Sequence, residues 1–330
     1  PRPGGRGGLT VAGTRAARDD AAGGGAAPGG AVPAVLCLDV GGSSVKSGVV
    51  LASGEVIACP YREELDSAGP AEPVLAVLAA SLARLLPAAA GGDVRGVGVS
   101  MPGPCDYERG VPLMRGLGKF DALYGLDLAA EVTARAAALA GLPWRWLNDA
   151  QAFGLGELRF GAGRGAARAV FLTLGTGCGS AFAVDGRLVT AGEGVPEGGF
   201  VYPLEHEGSA VDELLSARGV LRRWREVAEE RGVDPRSATT AREVGLLADA
   251  GDPAALEAFA RFGRTLAAAL GPVFVAFRPE VVVLGGKVAE SLRHFGPAAR
   301  EAGAPPLVPA AAPDAAALRG AAVHLLEGAG

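Results

Sequence analysis

Cysteine is scarce in this chain: four residues in 330, Cys37, Cys59, Cys105 and Cys178, widely spaced and with no Cys-x-x-Cys pair. That spacing excludes a disulfide framework and a structural zinc ribbon, and the thiols read as reduced groups in a cytoplasmic protein. Positive charge is not concentrated either. Lys and Arg number 31 against 36 Asp and Glu, a net charge of −5, and no basic cluster marks a nucleic-acid footprint. No run of about 18 uncharged apolar residues is present, so neither a membrane span nor a membrane partner is expected. Residues 1–33 lack the apolar middle of a secretory signal. They hold 10 Gly, 8 Ala and 4 Pro, too little apolar surface to offset ordering entropy, and are expected to form a disordered tail. The chain does not begin with Met, which points to a fragment or an unusual start.

What is abundant is glycine, 52 residues, within a composition that is 49% hydrophobic. From Ala34 the texture changes. Val35–Leu38, Val45–Leu51 and Val56–Tyr61 read as strands separated by Gly-bearing turns. Residues 71–86 read as a helix, with Val74, Leu75, Leu78, Leu82, Leu85 and Leu86 at helical spacing. Strands at Val94–Ser100 and in Trp-Arg-Trp-Leu-Asn (144–148) follow, with a helix over Leu126–Leu139 between them. A further helix opens at Asn148 or Asp149, one of which should cap it. Residues 169–186 then repeat the opening pattern of apolar strand, Gly-rich turn and apolar strand, and Gly175 lies 134 positions after Gly41. This weak internal duplication suggests two related domains. Helices over Val211–Glu230, Ala241–Ala250 and Pro253–Phe277, a strand at Glu280–Val288 and a last helix over Asp314–Leu326 complete an α/β pattern.

The two Gly-rich turns, Gly-Gly-Ser-Ser (41–44) and Gly-Thr-Gly-Cys-Gly-Ser (175–180), admit several readings. The first does not fit a P-loop, and the second has the wrong glycine spacing for a dinucleotide fingerprint and runs into a strand rather than a helix. A plain hairpin remains possible, since glycine supplies positive φ in tight turns. The second reading is anion binding by backbone N–H groups, with Ser43, Ser44 and Thr176 adding donors. Asp39 suits a Mg²⁺ ion shared with phosphate oxygens. Lys46 reads either as a phosphate contact or as a solvent-facing side chain, the latter slightly preferred.

Several motifs together carry a family resemblance. Asp-Val-Gly-Gly-Ser-Ser (39–44) and Leu-Gly-Thr-Gly-Cys-Gly-Ser (174–180) resemble the two phosphate motifs of the actin/hexokinase/Hsp70 superfamily, and Val-Val-Val-Leu-Gly-Gly-Lys (281–287) resembles its adenosine motif. The order of Gly-Val-Gly-Val-Ser-Met-Pro-Gly-Pro-Cys-Asp (96–106), Leu-Asn-Asp-Ala-Gln-Ala-Phe-Gly-Leu-Gly-Glu (147–157), the second phosphate motif and Glu-Gly-Gly-Phe (197–200) is similar to that in ROK family sugar kinases and repressors. The resemblance runs from about Val35 to Leu325. It implies a two-domain actin-like ATPase (ribonuclease H-like) fold with a nucleotide and sugar cleft between the domains. The expected bounds are 34–149, completed by a helix over 314–327, and 150–313. It further implies ATP-dependent phosphorylation of a hexose hydroxyl, on glucose or a close relative, forming the 6-phosphate, in a homodimer. Asp39, Gly41, Gly42 and Ser43 would form the first phosphate loop and Gly175, Thr176, Gly177 and Gly179 the second. Gly285, Gly286 and Lys287 would border the adenosine. Asp149 would be the catalytic base, and Asn148, Glu197, Asp212 and Gly103 would line the sugar, with Asp149 also contacting it. Without the family, the chemistry still asks for a carboxylate near the acceptor hydroxyl, with Mg²⁺ and ATP positioned beside it. Asp149 as a mere helix cap is the alternative.

This sequence departs from the family where zinc is often held. Phe200 replaces a His, and no cysteine follows Cys178, so no zinc site is expected. Glu193 rivals Glu197, His206 is a substitute polar contact or a solvated side chain, and Lys119, Phe120 and Tyr124 read equally as cleft residues or packing. Competing functions are polyphosphate-dependent glucose phosphorylation, a kinase whose sugar site has lapsed, and a sugar-sensing repressor. The repressor is disfavoured because residues 1–33 show no helical periodicity for a helix-turn-helix.

Overall fold

The computed structural model describes residues 31–328, apart from the side chains of residues 58–60. The tail expected over residues 1–33 lies almost entirely outside the described residues, and Cys59 falls among the undescribed side chains. In chain order the strands are β1 (Pro33–Val40), β2 (Ser44–Leu51), β3 (Val56–Glu64), β4 (Asp93–Met101), β5 (Cys105–Asp106), β6 (Val111–Pro112) and β7 (Trp144–Asn148). They continue as β8 (Arg168–Leu174), β9 (Cys178–Val184), β10 (Arg187–Val189), β11 (Glu205–His206), β12 (Ser209–Ala210), β13 (Val281–Gly285) and β14 (Leu307–Pro309). The helices are α1 (Ala71–Ala89), α2 (Leu128–Arg135), α3 (Asp149–Phe160), α4 (Val211–Leu214), α5 (Ala217–Arg231), α6 (Ala241–Asp249), α7 (Pro253–Phe277), α8 (Leu292–Glu301) and α9 (Ala316–Glu327).

The suspected duplication is visible in the sheets. One has the order β3-β2-β1-β4-β7 and the other β10-β9-β8-β13-β14. In each, three antiparallel strands joined by hairpins are followed by two strands parallel to the first of them. Both Gly-rich turns therefore occupy the same place, at the carboxyl end of the sheet's first strand. Asn148 ends β7 and Gly285 ends β13, also at carboxyl ends of parallel strands, where open α/β sheets leave a crevice for ligands.

Strands buried on both faces explain the near-continuous apolar runs. Leu36 and Leu38 of β1 join Leu75, Leu78 and Leu82 of α1 in one core. Val35 and Cys37, one step out of phase, pack with Leu318, Ala322 and Leu325 of α9. Helix α1 has the length and apolarity to cross a membrane, but its buried residues Val74, Leu75, Leu78, Leu82 and Leu85 line the first sheet's core. The second core gathers Trp224, Phe259, Phe262 and Phe295 around α5, α7 and α8.

Helices α3 and α9 cross closely because glycine faces backbone at two points. A Cβ on Gly156 would stand 1.9 Å from the Ala316 carbonyl oxygen, and one on Gly320 would stand 1.8 Å from that of Ala152. The crossing is fastened by Glu157, only 1% exposed. Its carboxylate accepts from Ala162 N (2.8 Å), Ala311 N (3.0 Å) and Ala312 N (3.1 Å). A buried carboxylate is tolerable only when its lone pairs are met in this way.

Two expectations need adjusting. The helix expected over Val211–Glu230 breaks at Ser216, which is extended (φ −124°, ψ −176°). The break frees Ala217 N to donate to Gly175 O at 2.8 Å, so tertiary contact with the second hairpin outweighs helical continuity. Likewise, Lys46 does not face solvent. Its side chain is 16% exposed and its Nζ donates to Asp314 Oδ1 at 3.0 Å, because β2 is covered by the segment leading into α9.

Candidate active site

The first hairpin is held by its neighbours. Gly41 N donates to Ser44 O (2.9 Å), Leu65 N to Ser43 O (3.1 Å) and Ser67 N to Gly42 O (3.2 Å), and Ser67 O in turn accepts from Phe120 N. These bonds occupy carbonyl oxygens and leave Gly42 and Ser43 exposed at the turn. Asp39 precedes the turn. The β1–β4 register sets it opposite Ser100, whose Oγ donates to Asp39 Oδ1 at 2.9 Å. Burial raises the Asp39 carboxyl above its ordinary value; Ser100 and Lys46 oppose the rise and the Asp149 charge adds to it.

The second hairpin has its own support. Gly175 N donates to Gly177 O at 2.9 Å, and Gly175 O accepts from Ala217 N. Thr176 O accepts from Arg218 Nη1 at 2.9 Å. Asp212, expected on the sugar, lies against this hairpin: Oδ1 accepts from Cys178 N (2.8 Å) and Oδ2 from Arg218 Nη2 (2.6 Å). A Cβ on Gly177 would come within 2.7 Å of Asp212 Oδ1, so glycine there is needed for this approach. Gly286 (φ 83°) stacks on the same place, since a Cβ on it would stand 2.4 Å from Leu174 O, one residue before the turn. Gly285 meets the ring of Phe153. Lys287 is exposed and pairs with Glu290 at 2.8 Å.

Between the hairpins in sequence lies the pair Asn148–Asp149. The structure separates their jobs. Asn148, 7% exposed, is the N-cap of α3, and its Oδ1 accepts from Ala150 N (3.0 Å) and Gln151 N (3.3 Å). Asp149 is the first helical residue, so the cap does not depend on it, although Ala150 N also lies 2.9 Å from its Oδ1. Solvent reaches Asp149, yet the protein atoms crowding it raise its carboxyl above the ordinary range, opposed by Ala150 N and the positive charge of Lys119. Lys119 thus stands near Asp149. Phe120, by contrast, is core, and Tyr124 is exposed beneath Arg115, 5.2 Å from guanidinium carbon to ring centroid.

Glu197 heads a one-turn helix (Glu197–Gly199) and is exposed, with no hydrogen-bond or ion-pair partner for its carboxylate among the described residues. Gly198 and Gly199 both have positive φ, and a Cβ on Gly198 would strike the Phe200 ring at 2.7 Å. The loop is pinned to β9 by Ser180, whose Oγ donates to Gly199 O (2.7 Å) and accepts from Val201 N (2.9 Å). Phe200 tilts against Tyr202, ring centroids 5.7 Å apart. His206 lines a 270 Å³ hollow with Arg223, Arg261, Arg264 and Thr265. Glu193 is exposed and lies 3.9 Å from Arg278. Among the described residues no three His, Cys, Asp or Glu side chains converge on a metal position.

Sequence reasoning passed over Tyr107. Its hydroxyl accepts from Asn148 Nδ2 and donates to Met101 O, each at 3.2 Å. Gly103 is close by: a Cβ there would stand 2.9 Å from Tyr107 Oη. The only signal was the turn-forming run Asp-Tyr-Glu-Arg-Gly (106–110), which reveals a turn and not where its tyrosine points.

Residues 35–327 match the family model of the ROK family. The chain belongs to the ROK family. It is 30% identical over 277 residues to a glucokinase of Thermotoga maritima, covering 79% of this chain and 84% of that relative. Among solved ROK-type structures, a Streptomyces griseus glucokinase in complex with glucose and AMPPNP superposes with TM-score 0.69 at 23% identity, over 88% of this chain and 98% of that one. An inorganic polyphosphate/ATP-glucomannokinase from Arthrobacter sp. strain KM superposes with TM-score 0.64 at 26% identity, over 90% and 99%. The paired five-stranded sheets are thus the two-domain actin-like ATPase fold of ROK sugar kinases.

Proposed function

We propose that this ROK protein is a sugar phosphotransferase that moves a phosphoryl group from ATP to a hexose hydroxyl, on glucose or a close relative, forming the 6-phosphate. The observation carrying this reading is the division of labour at the start of α3. Asn148 caps the helix, which leaves the Asp149 carboxylate available as general base beside Lys119. A base so placed typically contributes about 10²–10⁴-fold to such a reaction. The lobes are taken as residues 34–149 with 314–327, and 150–313.

In this reading the N–H groups and hydroxyls of Gly42 and Ser43, and of Thr176 and Gly177, hold the donor phosphates, while the N–H groups of Gly41 and Gly175 close the two turns. Gly285 and Gly286 border the nucleoside. Glu197, the free carboxylate of the pinned loop, meets sugar hydroxyls, with Asn148 and Gly103 on the other side. Asp212 supports the second hairpin through Cys178 N rather than touching sugar. Asp39 fits a Mg²⁺ ion that is shared with phosphate: Mg²⁺ sites use one or two carboxylates plus substrate oxygens. Asp39 and Asp149 bring two negative charges together, which a cation would relieve. Bound there, Mg²⁺ would neutralise charge developing on the transferred group. Closure of the lobes over the sugar would exclude water and limit wasteful hydrolysis of the donor.

The test is release of ADP by purified protein given ATP, Mg²⁺ and a panel of hexoses. A parallel arm with polyphosphate replacing ATP tests the second donor, which the resemblance to a polyphosphate/ATP-glucomannokinase keeps open. Turnover of one or more hexoses is expected. Silence across the panel with both donors refutes the reading.

A further inference from the structure

The hairpin β5–β6 has no part in either phosphate loop, yet it is built with care. Asp106 Oδ1 accepts from Glu108 N and Arg109 N, both at 3.1 Å, and Asp106 O accepts from Gly110 N at 2.8 Å. This is an Asx-type turn, which fixes the backbone through a side chain. The turn is pressed onto β7: Gly110 has φ 69°, and a Cβ on it would lie 2.3 Å from the Trp146 indole. Leu113 N then donates to Pro104 O at 3.0 Å. The residue displayed by this rigid turn is Tyr107, half-buried, with its hydroxyl between Met101 O and Asn148 Nδ2.

We propose that Tyr107 is a positioning residue of the acceptor site, which acts through Asn148 and sets the affinity for the sugar. The inference rests on the kinase reading above. The geometry is specific. The Asn148 amide offers two N–H donors and one carbonyl oxygen. The oxygen is used twice in capping α3, and one N–H is used by Tyr107. The amide is thereby locked in plane, with a single N–H left to meet an acceptor hydroxyl. Burial raises the Tyr107 phenol, so the hydroxyl keeps its proton and must donate to Met101 O, which leaves its lone pair for Asn148. Gly103 is the space that this hydroxyl needs.

The experiment is a double-mutant cycle on the whole chain with glucose as the probe, read by steady-state kinetics and by calorimetric glucose binding. Tyr107→Phe removes one oxygen and keeps the ring. Losing the partner of a buried N–H should raise glucose KM and Kd about five- to tenfold. The kcat should change by less than about twofold, and ATP KM not at all, because phosphate loops and base are untouched. Asn148→Ser keeps a strong cap and deletes the amide nitrogen. In that background Tyr107→Phe should add nothing, since the two residues act as one unit. Additive effects, an unchanged glucose KM in Y107F, or equal losses toward glucose and ATP would each overturn the inference. Wild-type protein that turns over glucose while Y107F is indistinguishable from it refutes the role of Tyr107 alone. Wild-type protein that turns over no hexose refutes the kinase reading, and this inference with it.

Discussion

Glu157→Gln isolates what a buried carboxylate does at the α3–α9 crossing. The substitution preserves size and shape and removes one acceptor. Oε2 serves Ala162 N and Ala311 N, and Oε1 serves Ala312 N. The least damaging glutamine rotamer keeps its oxygen on the first two and points its NH₂ at Ala312 N, donor against donor. One hydrogen bond to a charged acceptor is lost, about 1.5–3 kcal/mol, and the other two weaken as the acceptor becomes neutral. Easier desolvation of the amide offsets part of this. The net loss is about 2–4 kcal/mol, which for a chain of this size lowers Tm by roughly 5–10 °C. Differential scanning calorimetry at neutral pH, with no ligand present, reads it directly. A Tm within about 1 °C of wild type would show that Glu157 does not fasten residues 310–312 to α3, and the account of the crossing would fail.

Other outcomes follow from the same geometry. Gly320→Ala sets a methyl 1.8 Å from Ala152 O, so α3 and α9 must part; urea denaturation should show a loss of about 1–3 kcal/mol or more, and an unchanged midpoint would contradict the contact. Asp212→Ala removes the acceptor for Cys178 N and the partner of Arg218. ATP KM should rise about 10-fold or more while glucose KM holds; the opposite split would restore Asp212 to the sugar. Folding raises the Asp149 carboxyl above 3.8, so its contribution to stability is full below 3.8 and is lost as pH rises through the folded value. Asp149→Asn should therefore melt higher than wild type at neutral pH, and the gap should close in acid. By the same shift the acid limb of wild-type kcat/KM should lie above the ordinary carboxylate range; a limb at or below that range would remove Asp149 as the titrating base.

Much of this architecture was legible because hydrophobic periodicity is local. Strand, Gly-rich turn and strand at 35–51 and again at 169–184 announced two equivalent hairpins, and the sheets repeat one order. The Asn148–Asp149 pair was legible as a helix start, but which of them caps α3 was not, since either side chain suits the position. What failed depended on distant partners. Lys46 looked solvated because Asp314 lies 268 positions away. The contact of Asp212 with the second hairpin was not legible, because nothing in its own segment reveals Cys178 N. The break at Ser216 is set by a carbonyl in another hairpin. Tyr107 carried no signal at all beyond its turn.

The central claim is that Asp149 removes the proton from the acceptor hydroxyl. Asp149→Asn, assayed with ATP, Mg²⁺ and the best hexose of the panel, tests it most directly. The account predicts a fall in kcat of about 10²–10⁴-fold, with hexose affinity by calorimetry within a few-fold of wild type. A variant that keeps kcat within tenfold of wild type would contradict it.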